Sequence, residues 1–103
     1  MIVLPAGPAP RPDRAASQVL FDHAHARVVA FHLEAGQQIP AHSTDSSVLI
    51  HVIEGEGVFR GNASEAKLSA GQIAVFAPGE THAILAGAEA LRFVAILTPR
   101  PGG

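Results

Sequence analysis

The chain of 103 residues is long enough for one domain and too short for two. Its 7 basic and 9 acidic side chains give a net charge of -2 without any basic cluster, so we expect no binding to nucleic acid. The absence of cysteine excludes disulfides and thiolate metal sites. Hydrophobic residues make up 48% of the chain. Either a core rich in Ala and Val or a second copy of the chain would account for this share, and we predict a homodimer.

Residues 1–13 are predicted to form a Pro-rich N-terminal arm. Four prolines fall within eight residues: Pro5, Pro8, Pro10 and Pro12. Proline lacks an N–H and fixes φ, so this segment can form neither a helix nor a central strand. The start lacks the basic region of a signal peptide, and no run approaches the ~20 apolar residues of a membrane helix. We therefore expect a cytoplasmic location and no membrane partner. Residues 99–103 are predicted to be a C-terminal tail.

Residues 14–98 have the pattern of an all-β domain. Short apolar segments alternate with turn signals, and Gly61-Asn62 is typical of a hairpin turn. The predicted strands are Arg27–Leu33, Val48–Ile53, Val58–Arg60, Ile73–Phe76, Ile84–Leu85 and Leu91–Leu97. No window has a convincing helical apolar face, and Ala15–Leu20, with one or two turns at most, comes nearest. This pattern leaves an immunoglobulin-like sandwich, a jelly roll and an OB-fold open.

Two segments that contain glycine and histidine at fixed spacings narrow the choice. The first runs from Gly36 to His42 and continues to Gly55, which lies 13 residues after the histidine. The second runs from Gly71 to His82. They resemble the two motifs of the cupin superfamily, G-x5-H-x-H-x3–4-E-x6-G and G-x5-P-x-G-x2-H-x3-N. Together the two motifs cover about half of the chain.

The resemblance implies a single-domain jelly-roll β-barrel over residues 14–98, with two antiparallel sheets and little or no helix. In such a barrel His42 and His82 would meet in an interior pocket although forty positions separate them. The glycines of the motifs mark sharp turns, where we expect positive φ at Gly36, Gly55, Gly71 and Gly79.

The resemblance also implies a metal site, from which this sequence departs. Metal-binding cupins present two histidines with a carboxylate, Gln or third His from the first motif, and one histidine from the second. His42 and His82 match the first and last ligands, whereas Thr44 and Val48 replace the other two and are expected to line the pocket. A tight site takes at least three protein ligands, so Fe, Mn, Ni or Zn would be held loosely. Asp45, in a local bulge, is a candidate third ligand.

Three functions remain open. The first is the binding of an unidentified small molecule, with the two motif histidines and Thr44 as polar contacts. The second is a metal-dependent cupin enzyme of the dioxygenase or isomerase type. The third is a cofactor-free acid–base catalyst, similar to the sugar-nucleotide epimerases of the superfamily. We rank it last because such epimerases need basic residues for phosphates, whereas Arg27, Arg60 and Arg92 are scattered in sequence.

The remaining histidines are expected to lie outside the pocket. Strand alternation places His51 on the face opposite Val48, where it would pack in the fold or at a dimer interface. His32 is expected to reach solvent. His23 and His25 have the spacing of a ligand pair, but they lie near a predicted turn at an exposed edge.

Overall fold

The computed structural model describes residues 1–102, which contain nine strands and no helix. The strands are β1 Ala16–His23, β2 Ala26–Leu33, β3 Gln38–His42, β4 Ser47–Glu54, β5 Glu56–Arg60, β6 Glu65–Ser69, β7 Ile73–Phe76, β8 His82–Ala86 and β9 Leu91–Thr98. They form a five-stranded sheet of order β1-β2-β9-β4-β7 and a four-stranded sheet of order β3-β8-β5-β6, both antiparallel. The predicted all-β jelly roll with two antiparallel sheets is confirmed. Over the same range there is no helix that could cross a membrane.

The core lies between the two sheets, and alternation along each strand builds it. In β4 the inward side chains of Val48, Ile50 and Val52 are at most 3% exposed, whereas His51 on the other face is exposed. Phe93 of β9 is 1% exposed. Most of the buried apolar residues lie on β2, β9 and β4, the middle strands of the larger sheet.

Three strands were not predicted from the sequence. Ala15–Leu20, the segment with the nearest approach to a helical pattern, belongs largely to β1, whose pairing with β2 runs from Ala16 opposite His32 to His23 opposite Ala26. Pairing with a neighbouring strand overrides weak local preference. The strands β3 and β6 bury few side chains, with Leu68 the buried one in β6, so neither shows a strong alternating pattern.

The N-terminal arm crosses the outer face of the five-stranded sheet. The carbonyl of Pro8 accepts a hydrogen bond of 3.4 Å from Nδ1 of His32, and the carbonyl of Ala6 accepts one of 3.4 Å from Arg92. Beneath the arm Ala30 is 3% exposed. His32 is therefore half-buried and reaches solvent only in part, because a distant segment, which strand alternation cannot reveal, packs over the outer face.

The outer face of the same sheet also carries uncovered apolar side chains near β7. Ile73 and Val75 are 60% and 64% exposed, and Ile53 at the end of β4 is 43% exposed. His51 lies among them, opposite Ile73. The homodimer expected from the composition stays a prediction, and this face is where a second copy would bury apolar surface.

Candidate functional site

A cavity of about 160 Å³ lies between the two sheets. Most of its lining is apolar, and the apolar residues are Val19, Val29, Phe31, Ile39, Val48, Ile50, Ile84, Phe93, Ala95 and Leu97. Four polar side chains complete it: Arg27, His42, Thr44 and His82. An apolar cavity with a few convergent polar groups is the usual form of a small-molecule site.

The two motif histidines are direct cross-strand neighbours. His42 at the end of β3 lies opposite His82 at the start of β8, and their ring centroids are 4.2 Å apart at an interplanar angle of 62°. The ring of Phe76 stacks on His82 with a centroid distance of 4.7 Å. His82 is 4% exposed, whereas His42 lies at the rim and is exposed. One buried and one accessible imidazole thus lie side by side at the edge of the cavity.

Each ring is held in the same tautomer by a backbone carbonyl two residues earlier in the chain. Nδ1 of His42 lies 3.0 Å from the carbonyl oxygen of Pro40, and Nδ1 of His82 lies 3.0 Å from that of Glu80. A carbonyl oxygen only accepts, so each Nδ1 carries the proton and each Nε2 keeps a lone pair. Within residues 1–102 no fully buried side-chain nitrogen or oxygen lacks a partner. Nε2 of His82 has no hydrogen-bond partner there, so this atom is not fully buried, and the His82 side chain lines the cavity.

Three loops are tied together around His82. The N–H of Gly79 donates to the carbonyl of Thr44 at 2.7 Å, which joins the β7–β8 loop to the β3–β4 loop. The side-chain oxygen of Asn62, in the β5–β6 turn, accepts from the N–H of Thr81 at 3.1 Å, and the backbone N–H of Asn62 donates to the Glu80 carboxylate at 3.4 Å. The sequence marked Asn62 only as part of a turn, because its contacts lie 18 and 19 positions away.

Thr44 and Val48 both lie in the cavity lining, but neither offers a metal ligand. The hydroxyl of Thr44 accepts from the N–H of Ser46 at 2.9 Å and donates to the carbonyl of the same residue at 3.4 Å. This oxygen is therefore engaged by hydrogen bonds to the backbone of its own turn. Val48 is 3% exposed and presents only methyl groups to the cavity.

Asp45, the candidate third ligand, is exposed and does not line the cavity. The inward position of its loop is taken by Ser46, which is 1% exposed and donates a hydrogen bond of 2.6 Å to the carbonyl of Pro99. Residues 1–102 contain no group of three or more His, Asp or Glu side chains that could hold a metal ion. Asp45 is therefore not placed to act as the candidate third ligand. Two imidazole nitrogens do not fit a tightly held ion, which takes at least three protein ligands.

The other histidines lie away from the cavity. His51 is exposed on the outer face of the larger sheet. His23 and His25 are exposed at the β1–β2 turn, where their rings lie 5.3 Å apart.

Arg27 lines the cavity, and the sequence analysis did not find it. It lies on β2 in alternation with Val29 and Phe31, which also line the cavity. That alternation is the signal that could have placed it inside. The other scattered arginines are on the surface, where Arg60 forms an ion pair with Glu65 and Arg92 with Glu54.

Burial lowers the pKa of His82 below its ordinary value of 6.5. The proximity of His42 adds to this effect, while the hydrogen bond to the Glu80 carbonyl and the Glu80 charge oppose it. A lowered pKa keeps the buried ring neutral at neutral pH, so Nε2 stays an acceptor.

We expect this shift to make folding stability depend on pH. As the pH falls below about 6.5, His82 takes up a proton in the unfolded chain at a higher pH than in the native state. The stability that neutral His82 contributes is thus fully present above that pH and is lost as the pH falls through the lowered pKa. Between about pH 7 and about pH 5, the melting temperature of the native protein should fall further than that of His82→Asn. Equal losses would show that His82 is not held neutral by the fold.

The comparisons with known proteins agree with this architecture. The sequence profile of the family described as "Cupin domain" matches residues 29–97, more than half of the chain. Comparison with curated proteins found no match in sequence.

Solved structures supply three informative relatives. An uncharacterized conserved protein with a double-stranded beta-helix domain from Klebsiella pneumoniae is 30% identical, with a TM-score of 0.84 and coverage of 92% of this chain and 85% of that one. A protein from Thermus thermophilus is 26% identical, with a TM-score of 0.83 and coverage of 88% and 89%. A predicted oxalate decarboxylase from Thermotoga maritima is 25% identical, with a TM-score of 0.77 and coverage of 82% and 80%. With its two sheets, its motif histidines side by side and its profile match, the chain belongs to the cupin family.

Proposed function

We propose that this protein binds a small, mostly apolar molecule in the cavity between the sheets, and that His42 and His82 orient it. The observation that carries the proposal is a pair of imidazoles at the edge of a mostly apolar cavity, whose Nε2 atoms have no hydrogen-bond partner within residues 1–102. A ligand with a hydroxyl or N–H group could donate to these acceptors while its apolar part displaces water from the aliphatic lining.

The size of the cavity sets the size of the ligand. An engineered protein cavity of about 150 Å³ takes up benzene, and the cavity here has a volume of about 160 Å³. The bound part of the ligand is therefore comparable to one aromatic ring or a short branched chain. Thr44 lies in the lining, but its hydroxyl is engaged in its own turn, so the histidines are the stronger polar contacts.

The same two nitrogens would hold a divalent ion such as Fe, Mn, Ni or Zn loosely, with water as the remaining ligands. The alternative function, a metal-dependent enzyme of the dioxygenase or isomerase type, needs at least one further ligand. The valine at position 48 and the exposed position of Asp45 make that alternative the weaker one.

Thermal unfolding in the presence of benzyl alcohol tests the proposal, because this probe combines one ring with one hydroxyl. We expect a saturable rise in melting temperature, since a ligand that binds only the native state stabilises it. The variant Ala95→Leu places a larger side chain into the cavity lining and should lose the rise. Ala66→Leu, the same change at an exposed position of β6, is the matched control and should keep it. A native protein with no saturable rise would contradict the proposal.

Titration with Ni²⁺ shows whether the two imidazoles form a weak metal site. His42→Ala should abolish saturable binding to this site, because a single imidazole remains. The titration is done in a variant with both His23 and His25 replaced by alanine, so that this exposed pair cannot supply the signal. Unchanged binding after His42→Ala would remove the metal part of the proposal.

A further inference from the structure

Among the residues that the structure describes, Arg27 is the one cavity-lining side chain with a permanent charge. We propose that the ligand of the cavity is a small apolar carboxylic acid whose carboxylate is bound by Arg27. The inference rests on the proposed function, because it names the class of molecule that the same cavity takes.

Arg27 belongs to a surface cluster with a net positive charge. The Asp22 carboxylate accepts hydrogen bonds of 3.2 and 3.4 Å from Arg27 and of 2.7 and 3.1 Å from Arg100. The bonds from Arg100 and then Arg27 hold the pKa of Asp22 below its ordinary value, so this group is ionised at neutral pH. Within residues 1–102, these two guanidinium groups and one carboxylate leave the cluster with one positive charge, and Arg27 is its member in the cavity lining. One carboxylate of a ligand would balance that charge.

Arg27 has a donor group to spare for that ligand. Its Nε and Nη2 bind Asp22, while its Nη1 has no hydrogen-bond partner within residues 1–102. Arg100 makes the shorter bonds and is the stronger partner of Asp22. The Arg27 side chain is 28% exposed, and a bond from a partly desolvated guanidinium to a carboxylate is stronger than the same bond in open water.

The position of Arg27 gives the ligand a direction. Arg27, Leu97, Val48 and Phe76 are successive partners across four neighbouring strands, and His82 stacks on Phe76. At about 4.8 Å between strands, Arg27 and Phe76 are roughly 14 Å apart at their Cα atoms. A carboxylate at Arg27 would leave the apolar body of the ligand over Leu97 and Val48, with its far end toward the histidine pair. A phosphate dianion carries two negative charges, one more than the cluster would balance. The charge of the cluster therefore favours a carboxylate.

Benzoate and benzamide test the inference, because they share one ring and differ in charge. We expect the native protein to bind benzoate about tenfold more tightly than benzamide, as measured by calorimetric titration. Arg27→Gln keeps most of the aliphatic stem and should remove this preference while benzamide still binds, which shows that the cavity is intact. Arg60→Gln removes an arginine that pairs with Glu65 on the other sheet and should keep the preference.

Asp22→Asn provides a test in the opposite direction, since it removes the anion that competes for Arg27. Benzoate should bind this variant more tightly than the native protein, with benzamide unchanged. If benzamide binds and benzoate binds no better, the carboxylate assignment is wrong and the proposed function stands. If neither compound nor benzyl alcohol binds, the proposed function is wrong as well.

Discussion

Phe93→Ala is expected to destabilise the protein by about 3–5 kcal/mol, as typical for a fully buried aromatic side chain. Phe93 is 1% exposed, stacks on Phe31 at a centroid distance of 4.8 Å and meets Phe59 edge-on at 5.8 Å. Its loss removes the aromatic contact of both neighbours and enlarges the cavity that Phe93 lines. A domain with about 5–15 kcal/mol of total stability would lose a large share of it, and denaturant unfolding followed by circular dichroism measures the change.

Phe21→Ala is the matched control, because Phe21 is half-buried on the edge strand β1 and stacks on the exposed His23. We expect it to cost about 1 kcal/mol, since less apolar surface leaves water there. Similar losses for the two variants would mean that the core does not centre on Phe93.

Gly55→Ala is expected to destabilise the protein by about 3 kcal/mol or more. Gly55, in the turn between β4 and β5, has φ of +79°, a conformation that costs an L-residue about 1–2 kcal/mol. A Cβ at this position would also overlap the carbonyl oxygen of Ala90. Because that oxygen belongs to the backbone just before β9, it cannot rotate away as a side chain would. A thermal melt would show a fall of at least about 10 °C for a domain of this size.

Gly36→Ala separates the two causes. Gly36 has a similar φ of +77°, but no atom lies within 4 Å of the position that its Cβ would take. Its replacement should therefore cost only the conformational part, about 1–2 kcal/mol. Equal effects of the two substitutions would show that the contact with Ala90 is relieved without cost.

Parts of the candidate site that depend on spacing along one strand or turn were predictable. The φ values at Gly36, Gly55, Gly71 and Gly79 are all positive, as expected for sharp turns. Alternation in the strand that contains His51 placed this side chain on the outer face, where the structure has it. These features follow from the backbone geometry of a few consecutive residues, which any chain with this pattern must adopt.

Other parts depend on contacts between distant segments. The choice of Ser46 over Asp45 as the buried residue depends on a hydrogen bond to Pro99, 53 positions away. The cluster that contains Arg27 joins Asp22 to Arg100 across 78 positions. Pairing and hydrogen bonding over such separations are not encoded in local patterning.

By itself, the sequence determined an all-β class, and its resemblance to the two cupin motifs implied the barrel and the meeting of His42 with His82. Only the tertiary structure decided what chemistry surrounds that pair. Packing of the two sheets set the volume of the cavity, put Arg27 into its lining and left both Nε2 atoms without a hydrogen-bond partner within residues 1–102. The physical reason is that burial and electrostatic environment are sums over neighbours from the whole chain, whereas a motif specifies only the residues within it.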